Sequence, residues 1–320
     1  MVKHTLCISM LLFVALSATA QLIVPDPAKY KSAVEPLLKT TWSQKAPYNE
    51  QCPTKTASDG VDQHCPVGCV ALALAQIMKY YNYPETGQGT KSYTPLLSKE
   101  TLSADFGATH YDWKHMKDSY FSFGSYKNYT DEEASAVATL CYQIGVSVGM
   151  MYALSGSSAF AYGNIPHDMV DNFRYDADSI KYLSRSDYSK EEWMGLIYHE
   201  LTQGRPVFYA GNSLTQGGHA WVIDGYNAQG QVHINWGWSG TDNGYYDIDL
   251  TDTSNDFINN QSMIIGMMPP KTSTGVLIPT RGVLRLNGIY SLDGRKLEKA
   301  QRGLNIMKYS DGTVRKVIVK

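Results

Sequence analysis

The run from Gly68-Cys69-Val70-Ala71-Leu72-Ala73-Leu74-Ala75 to Gln76-Ile77-Met78-Lys79-Tyr80-Tyr81 constrains this chain more than any other stretch. Asn82-Tyr83-Pro84 closes it. Ala, Leu, Ile and Met occupy nearly every helical face, which predicts a buried helix. Cys69 falls in its first turn. A helix N-terminus carries unpaired N–H groups and about half a positive charge. Both stabilise a thiolate, the reactive form of cysteine. The plain reading of a Cys in an Ala-rich helix is a small buried hydrophobe. Two distant features argue for a reactive one.

The first is Gly217-Gly218-His219-Ala220-Trp221-Val222-Ile223-Asp224-Gly225-Tyr226. The alternation after His219 predicts a strand, and the paired glycines predict a tight loop leading into it. A nucleophilic thiol needs an imidazole to take its proton, normally from a distant part of the chain. The second is His233-Ile234-Asn235-Trp236-Gly237-Trp238-Ser239-Gly240. Two Trp rings around one Gly can shield a polar pair from water. Taken alone, His219 reads as a loop residue and the Trp residues as core. The order Cys, His, Asn-Trp, with the Cys opening a helix and the rest on strands, is far more specific than any part.

These segments, with Gln63-His64 and a weaker run from Ser189-Lys190 through Trp193 to Arg205-Pro206-Val207, resemble the streptopain family of secreted bacterial cysteine peptidases. The resemblance spans roughly residues 35 to 268. It implies an α+β, papain-like fold in two parts, a helical half and an antiparallel β-sheet or barrel half, with a cleft between them. It further implies an endopeptidase whose Cys69 thiolate is acylated, with His219 as base and then as acid toward the leaving amine. Gln63, six residues before Cys69, matches the spacing of an oxyanion-donating glutamine; the Cys69 N–H is the second donor. Gly218 and Ser158 match residues that bind the substrate backbone, with Ser157 open as the alternative to Ser158. Met151, Tyr152 and Trp238 are candidates to line an apolar pocket, while core packing is the other reading of Met150-Met151. Trp236 and Trp238 are expected to pack beside a Cys–His dyad, with Asn235 as a weaker third member. An indole offers an N–H donor and a ring face, so it cannot accept the imidazolium proton.

No cofactor is implied, and the other histidines show no paired metal-ligand spacing. A net charge of −2 leaves no footprint for nucleic acid or an anionic membrane. The partners expected are protein or peptide substrates. Two other functions compete: acyl or amide transfer by the same thiol–imidazole pair, and an inactive surface module that binds peptides. The Cys69, His219 and Gln63 set argues against the second.

Residues 1–20 read as a signal peptide: Lys3 and His4, an apolar stretch from Leu6 to Leu16, then Ala18-Thr19-Ala20. The stretch is too short to remain as a membrane span. A secreted or cell-surface protein follows as the expectation. Residues 21–34 read as a short leader, 35–268 as the peptidase domain, and 269–320 as a linker and small C-terminal β-module. That tail resembles modules used for sorting or surface retention. Cys69 comes too early for the long inhibitory propeptide usual in the family, so activity without removal of a large segment is expected. Export permits disulfides; Cys52 and Cys65 flank a polar loop and are candidates to pair, while Cys141 reads as an inert core thiol.

Helices are expected from Asp131 to about Gln143, from Ile165 to Phe173, and from Lys190 to about Thr202 behind a Ser189–Glu192 capping box. Strands are expected over Pro206–Ala210, His219–Tyr226, Gln231–Trp236 and Tyr245–Leu250. Further strands are expected in the tail, around Gly288–Leu292, Leu304–Met307 and Val314–Val319.

Overall fold

A computed structural model describes residues 22–95, 100–124, 126–161, 163–270, 286–291, 295–309 and 314–319. The segment 1–20 expected to be a signal peptide, most of the expected Pro269–Gly275 linker and the two expected Asp-Gly tail turns lie outside them.

Four α-helices occur among the described residues: α1 (Cys69–Tyr81), α2 (Asp131–Ser147), α3 (Ile165–Phe173) and α4 (Lys190–Thr202). α1 is buried from Val70 to Met78, as its uniform apolarity requires. It stops at Asn82, whose left-handed conformation lets its N–H close on the Lys79 carbonyl. α2 runs a turn beyond the sequence expectation. A capping box between Thr130 and Glu133 opens it, and Asp131, Glu132 and Glu133 sit at its positive end. The Ser189–Glu192 capping box opens α4 as expected.

The second half is a sheet of six antiparallel strands: β1 (Lys181–Ser184), β2 (Val207–Ser213), β3 (Gly217–Tyr226), β4 (Val232–Asn235), β5 (Gly244–Tyr246) and β6 (Asn259–Ile265). Their order is β5-β4-β3-β2-β6-β1, so the sheet is open and no barrel closes. Phe208, Ala210, Ala220, Val222 and Ile264 face the core that contains α1 and α2. Val207, Tyr209, Trp221, Ile223 and Met263 face a second core beneath α4. The two-residue period of a strand divides its side chains this way, and burial of both faces makes β2 and β3 almost wholly apolar. β1 and β6 lie outside the strands expected from sequence. Of the Tyr245–Leu250 stretch only Tyr245 and Tyr246 are strand, because the chain turns over Asp247–Leu250, where the Leu250 N–H donates to the Asp247 carbonyl at 2.8 Å.

Residues 22–38 are packed onto the sheet half. Val34 bridges Tyr226, the Tyr226 hydroxyl donates to the Lys31 carbonyl at 2.7 Å, and the Tyr198 hydroxyl donates to the Ile23 carbonyl. The buried Asp224 carboxylate accepts from the Leu38 N–H at 2.9 Å and contacts His233 Nδ1 at 2.6 Å. The stretch expected to be a short leader is stitched to the end of β3. In the tail, Lys296–Leu297, Leu286–Tyr290, Gly303–Tyr309 and Val314–Val319 form a four-stranded antiparallel sheet in that order. Cys52, Cys65 and Cys141 are buried free thiols, so the candidate Cys52–Cys65 disulfide is not formed.

Candidate active site

Gly68 precedes α1 with a φ of 90°, and a Cβ there would meet Met150 Sδ at 2.6 Å. Only glycine supplies that turn and that close approach without strain. The turn places Cys69 at the helix N-terminus, half-buried on the wall of a cleft of about 660 Å³. His219, near the start of β3, lines the same cleft, as do Ala220, Gly218, Ser157 and Ser158. Cys69 comes from the helical half and His219 from the sheet half, the placement expected from the sequence.

His219 Nε2 lies 3.0 Å from the Trp236 carbonyl oxygen. A carbonyl only accepts, so Nε2 carries the proton and donates it. In the neutral ring Nδ1 then holds the free lone pair. Aromatic rings enclose the imidazole: Trp238 stacks at 4.8 Å between centroids, Phe257 lies at 5.2 Å, and Trp221 and Trp236 each lie at 6.0 Å. Burial pushes His219 down to about 4, opposed by the Trp236 carbonyl. Burial also pushes the Cys69 thiol up, opposed by the N–H groups of Ala220, Val70 and Cys69 itself. Both directions favour the uncharged forms, a neutral thiol and a neutral imidazole.

Asn235 is buried, and its side-chain hydrogen bonds among the described residues go elsewhere than the imidazole. Its Oδ1 accepts from the Gly237 N–H at 3.1 Å and from Gln76 Nε2 at 3.3 Å, while its Nδ2 donates to the Thr40 carbonyl at 2.7 Å. The acceptor for His219 is therefore a backbone peptide, which no residue identity announces. Trp236 and Trp238 stack on each other at 5.3 Å and flank the imidazole.

The remaining sequence candidates separate. Gln63 stands on an exposed two-stranded hairpin, Thr54–Thr56 with Asp62–His64. Gln44, which spacing did not single out, is half-buried, and its carbonyl accepts from the Val67 N–H at 2.9 Å, two residues before Cys69. Its sequence signal was its place just after the buried Trp42. Both backbone groups of Ser158 pair with Met151. The buried Ser157 hydroxyl has no hydrogen-bond partner among the described residues. Met151 and Tyr152 line a smaller recess of about 230 Å³ with Lys55 and Leu102, and Ser158 borders both spaces. The main cleft instead carries the exposed Phe160 and Ile258. Among the described residues no group of three or more His, Cys, Asp or Glu is arranged to hold a metal ion. None of the helices described is long and apolar enough to cross a membrane.

Comparison with known proteins places the chain among cysteine proteases. Streptopain from Streptococcus pyogenes is 34% identical over 249 residues, covering 71% of this chain and 60% of streptopain. The chain thus spans about 60% of the length of that relative. The thiol protease/hemagglutinin PrtT of Porphyromonas gingivalis is 31% identical over 266 residues, 78% of this chain and 29% of that protein. The structure of active wild-type interpain A, a cysteine protease of Prevotella intermedia, superposes with a TM-score of 0.68 at 40% identity, covering 77% of this chain and 99% of that one. The fold is thus that of a solved cysteine protease, with its sheet open. Residues 42–246, which contain Cys69, His219 and the Asn235–Trp238 turn, match the peptidase C10 family, and the chain belongs to that family.

Proposed function

We propose that the chain is a cysteine endopeptidase acting on protein substrates through Cys69 and His219. The observation that carries the reading is the Nε2–H bond from His219 to the Trp236 carbonyl, beside a thiol at a helix N-terminus in the same cleft. His219 Nδ1 takes the thiol proton as Cys69 Sγ bonds to the scissile carbonyl carbon. The C–N bond then breaks, and the imidazolium gives its proton to the leaving amine. Water, deprotonated by the same nitrogen, releases the acyl group and restores the thiol.

The Cys69 N–H and a glutamine amide stabilise the oxyanion. Gln44 is the better placed donor, because its backbone is bonded to the loop that delivers Cys69, whereas Gln63 is on an exposed hairpin. Gly218 and Ser157 hold the substrate backbone, Ser158 having spent its backbone groups on Met151. Phe160 and Ile258 face the substrate across the cleft. Export by residues 1–20 and a sorting or retention role for the tail belong to the same proposal.

The test is Cys69→Ala together with covalent labelling by an epoxide thiol-protease inhibitor and peptide mapping. Loss of casein hydrolysis in the variant, and label on Cys69 in the wild type, are expected. Hydrolysis within about tenfold of wild type (~1.4 kcal/mol) in the variant refutes the assignment. Release of acyl products on added amines in place of hydrolysis assigns the chain to acyl transfer.

A further inference from the structure

Helix α1 has one polar residue within its buried stretch, Gln76, which is 1% exposed. Residues three or four apart on a helix share a face, so Cys69, Leu72 and Gln76 lie along one side of α1. That side meets the Asn235–Trp238 turn. Gly237 adopts a φ of 74°, and a Cβ on it would come within 2.8 Å of Leu72 Cδ2 and 3.9 Å of Gln76 Nε2.

Gln76 closes a ring of hydrogen bonds there. Its Oε1 accepts from Thr40 Oγ1 at 2.8 Å, and its Nε2 donates to Asn235 Oδ1 at 3.3 Å. Asn235 Nδ2 returns to the Thr40 carbonyl at 2.7 Å. All three residues are buried, so their polar atoms depend on one another for satisfaction. The Thr40 carbonyl can only accept, which fixes the orientation of the Asn235 amide. Asn235 Oδ1 is thereby held toward the Gly237 N–H, 3.1 Å away. That N–H and the Trp236 carbonyl belong to one peptide unit, and the carbonyl is the acceptor for His219 Nε2. A peptide unit is planar and stiff, so anchoring its N–H end directs its oxygen.

We propose that Gln76 is a positioning residue for the thiol–imidazole pair, tying the peptide unit that receives His219, through Asn235, to the helix that carries Cys69. The catalytic groups come from different halves of the fold, and this ring is a polar tie between the helix of one and the turn behind the other. Filling space at position 76 requires no amide: Leu or Met would do so without the desolvation cost of a buried polar group. The proposal rests on Cys69 and His219 being the reacting pair. The rings around His219, from Trp221, Trp236, Trp238 and Phe257, do not titrate in the acid-to-neutral range, so a change in its ionisation reads the carbonyl bond and Cys69.

Gln76→Met in the full chain keeps the length and apolar bulk of the side chain and removes its donor. Two readouts apply: kcat and KM on a peptide substrate, and the pH profile of Cys69 alkylation by iodoacetamide, which reports thiolate without requiring proteolysis. We expect kcat to fall about tenfold or more with KM within about twofold, since misplacement of a reacting group acts on the chemical step. The acid limb of the alkylation profile should move to higher pH, because a poorly aimed carbonyl supports the imidazolium less. Wild-type kcat with an unmoved profile overturns the proposal. If Gln76→Met does not fold, Thr40→Val decides: it removes the hydroxyl donor to Gln76 while keeping the shape. The same limb should then move in the same direction with kcat down about threefold, and an unchanged profile overturns the proposal. Cys69→Ala separates the two levels. If it still hydrolyses protein, the reacting pair is wrong; if it is inert and Gln76→Met is unaffected, only the positioning role fails.

Discussion

Stability should fall on acidification through His219, and the size of the fall follows from its surroundings. Burial among four aromatic rings pushes the imidazole from an ordinary 6.5 down to about 4, against the opposing Trp236 carbonyl. Between those values the unfolded chain binds a proton that the folded chain refuses. The unfolded state therefore gains as pH drops: the contribution is intact above about 6.5 and lost as pH falls toward about 4. At about 1.4 kcal/mol per pH unit the full loss is about 3 kcal/mol, most of which has developed by about pH 4.5. The measurement is urea unfolding at about pH 7.5 and about pH 4.5. Cys69→Ala is the background, so that the imidazole has no thiol to exchange with. The same experiment on Cys69→Ala with His219→Gln removes this group and leaves every other titration in place. The His219 protein should lose roughly 2–3 kcal/mol more than its Gln counterpart over that interval. Equal losses in the two proteins refute the claim that burial holds the imidazole neutral.

Three further outcomes follow from the same geometry. Gln44→Ala should lower kcat about a hundredfold, and Gln63→Ala should leave it within about twofold; the reverse order in peptide hydrolysis returns the oxyanion role to Gln63. Gly68→Ala should destabilise the chain by about 1–3 kcal/mol in thermal or urea unfolding, because its φ of 90° is strained for alanine and the new methyl meets Met150 Sδ; a change below about 0.5 kcal/mol contradicts this account. Removing residues 271–320 should leave peptidase activity and fold intact while altering where the protein is retained, measured by fractionating the producing cells; a misfolded product, or one retained as before, contradicts the separable tail.

The features legible in the sequence are those set by neighbours along the chain. Uniform apolarity from Val70 to Met78 dictates a helix buried all round, and Ser189 with Glu192 marks where α4 begins. The core of β3 was visible in its apolar run. Order and chemistry also pointed to Cys69 and His219 as a pair, because a reactive thiol has few partners to choose from.

Tertiary structure decided what depends on neighbours across the fold. β6 begins with two asparagines and lacks a clean alternation, yet it pairs with both β2 and β1. Six-residue spacing recommended Gln63, but the intervening chain leaves a hairpin whose exposed strand carries that glutamine out of the core. Gln44 reaches the Cys69 loop through a backbone bond to Val67 that no spacing rule contains. Asn235 was expected only as a weaker third member beside the pair; folding turned its amide toward Gln76, Gly237 and Thr40 and presented the Trp236 carbonyl to His219. Every residue has a carbonyl, so sequence cannot show which one will serve. Only the packing of α1 against the Asn235–Trp238 turn makes that choice, by leaving one peptide oxygen aimed at a buried imidazole.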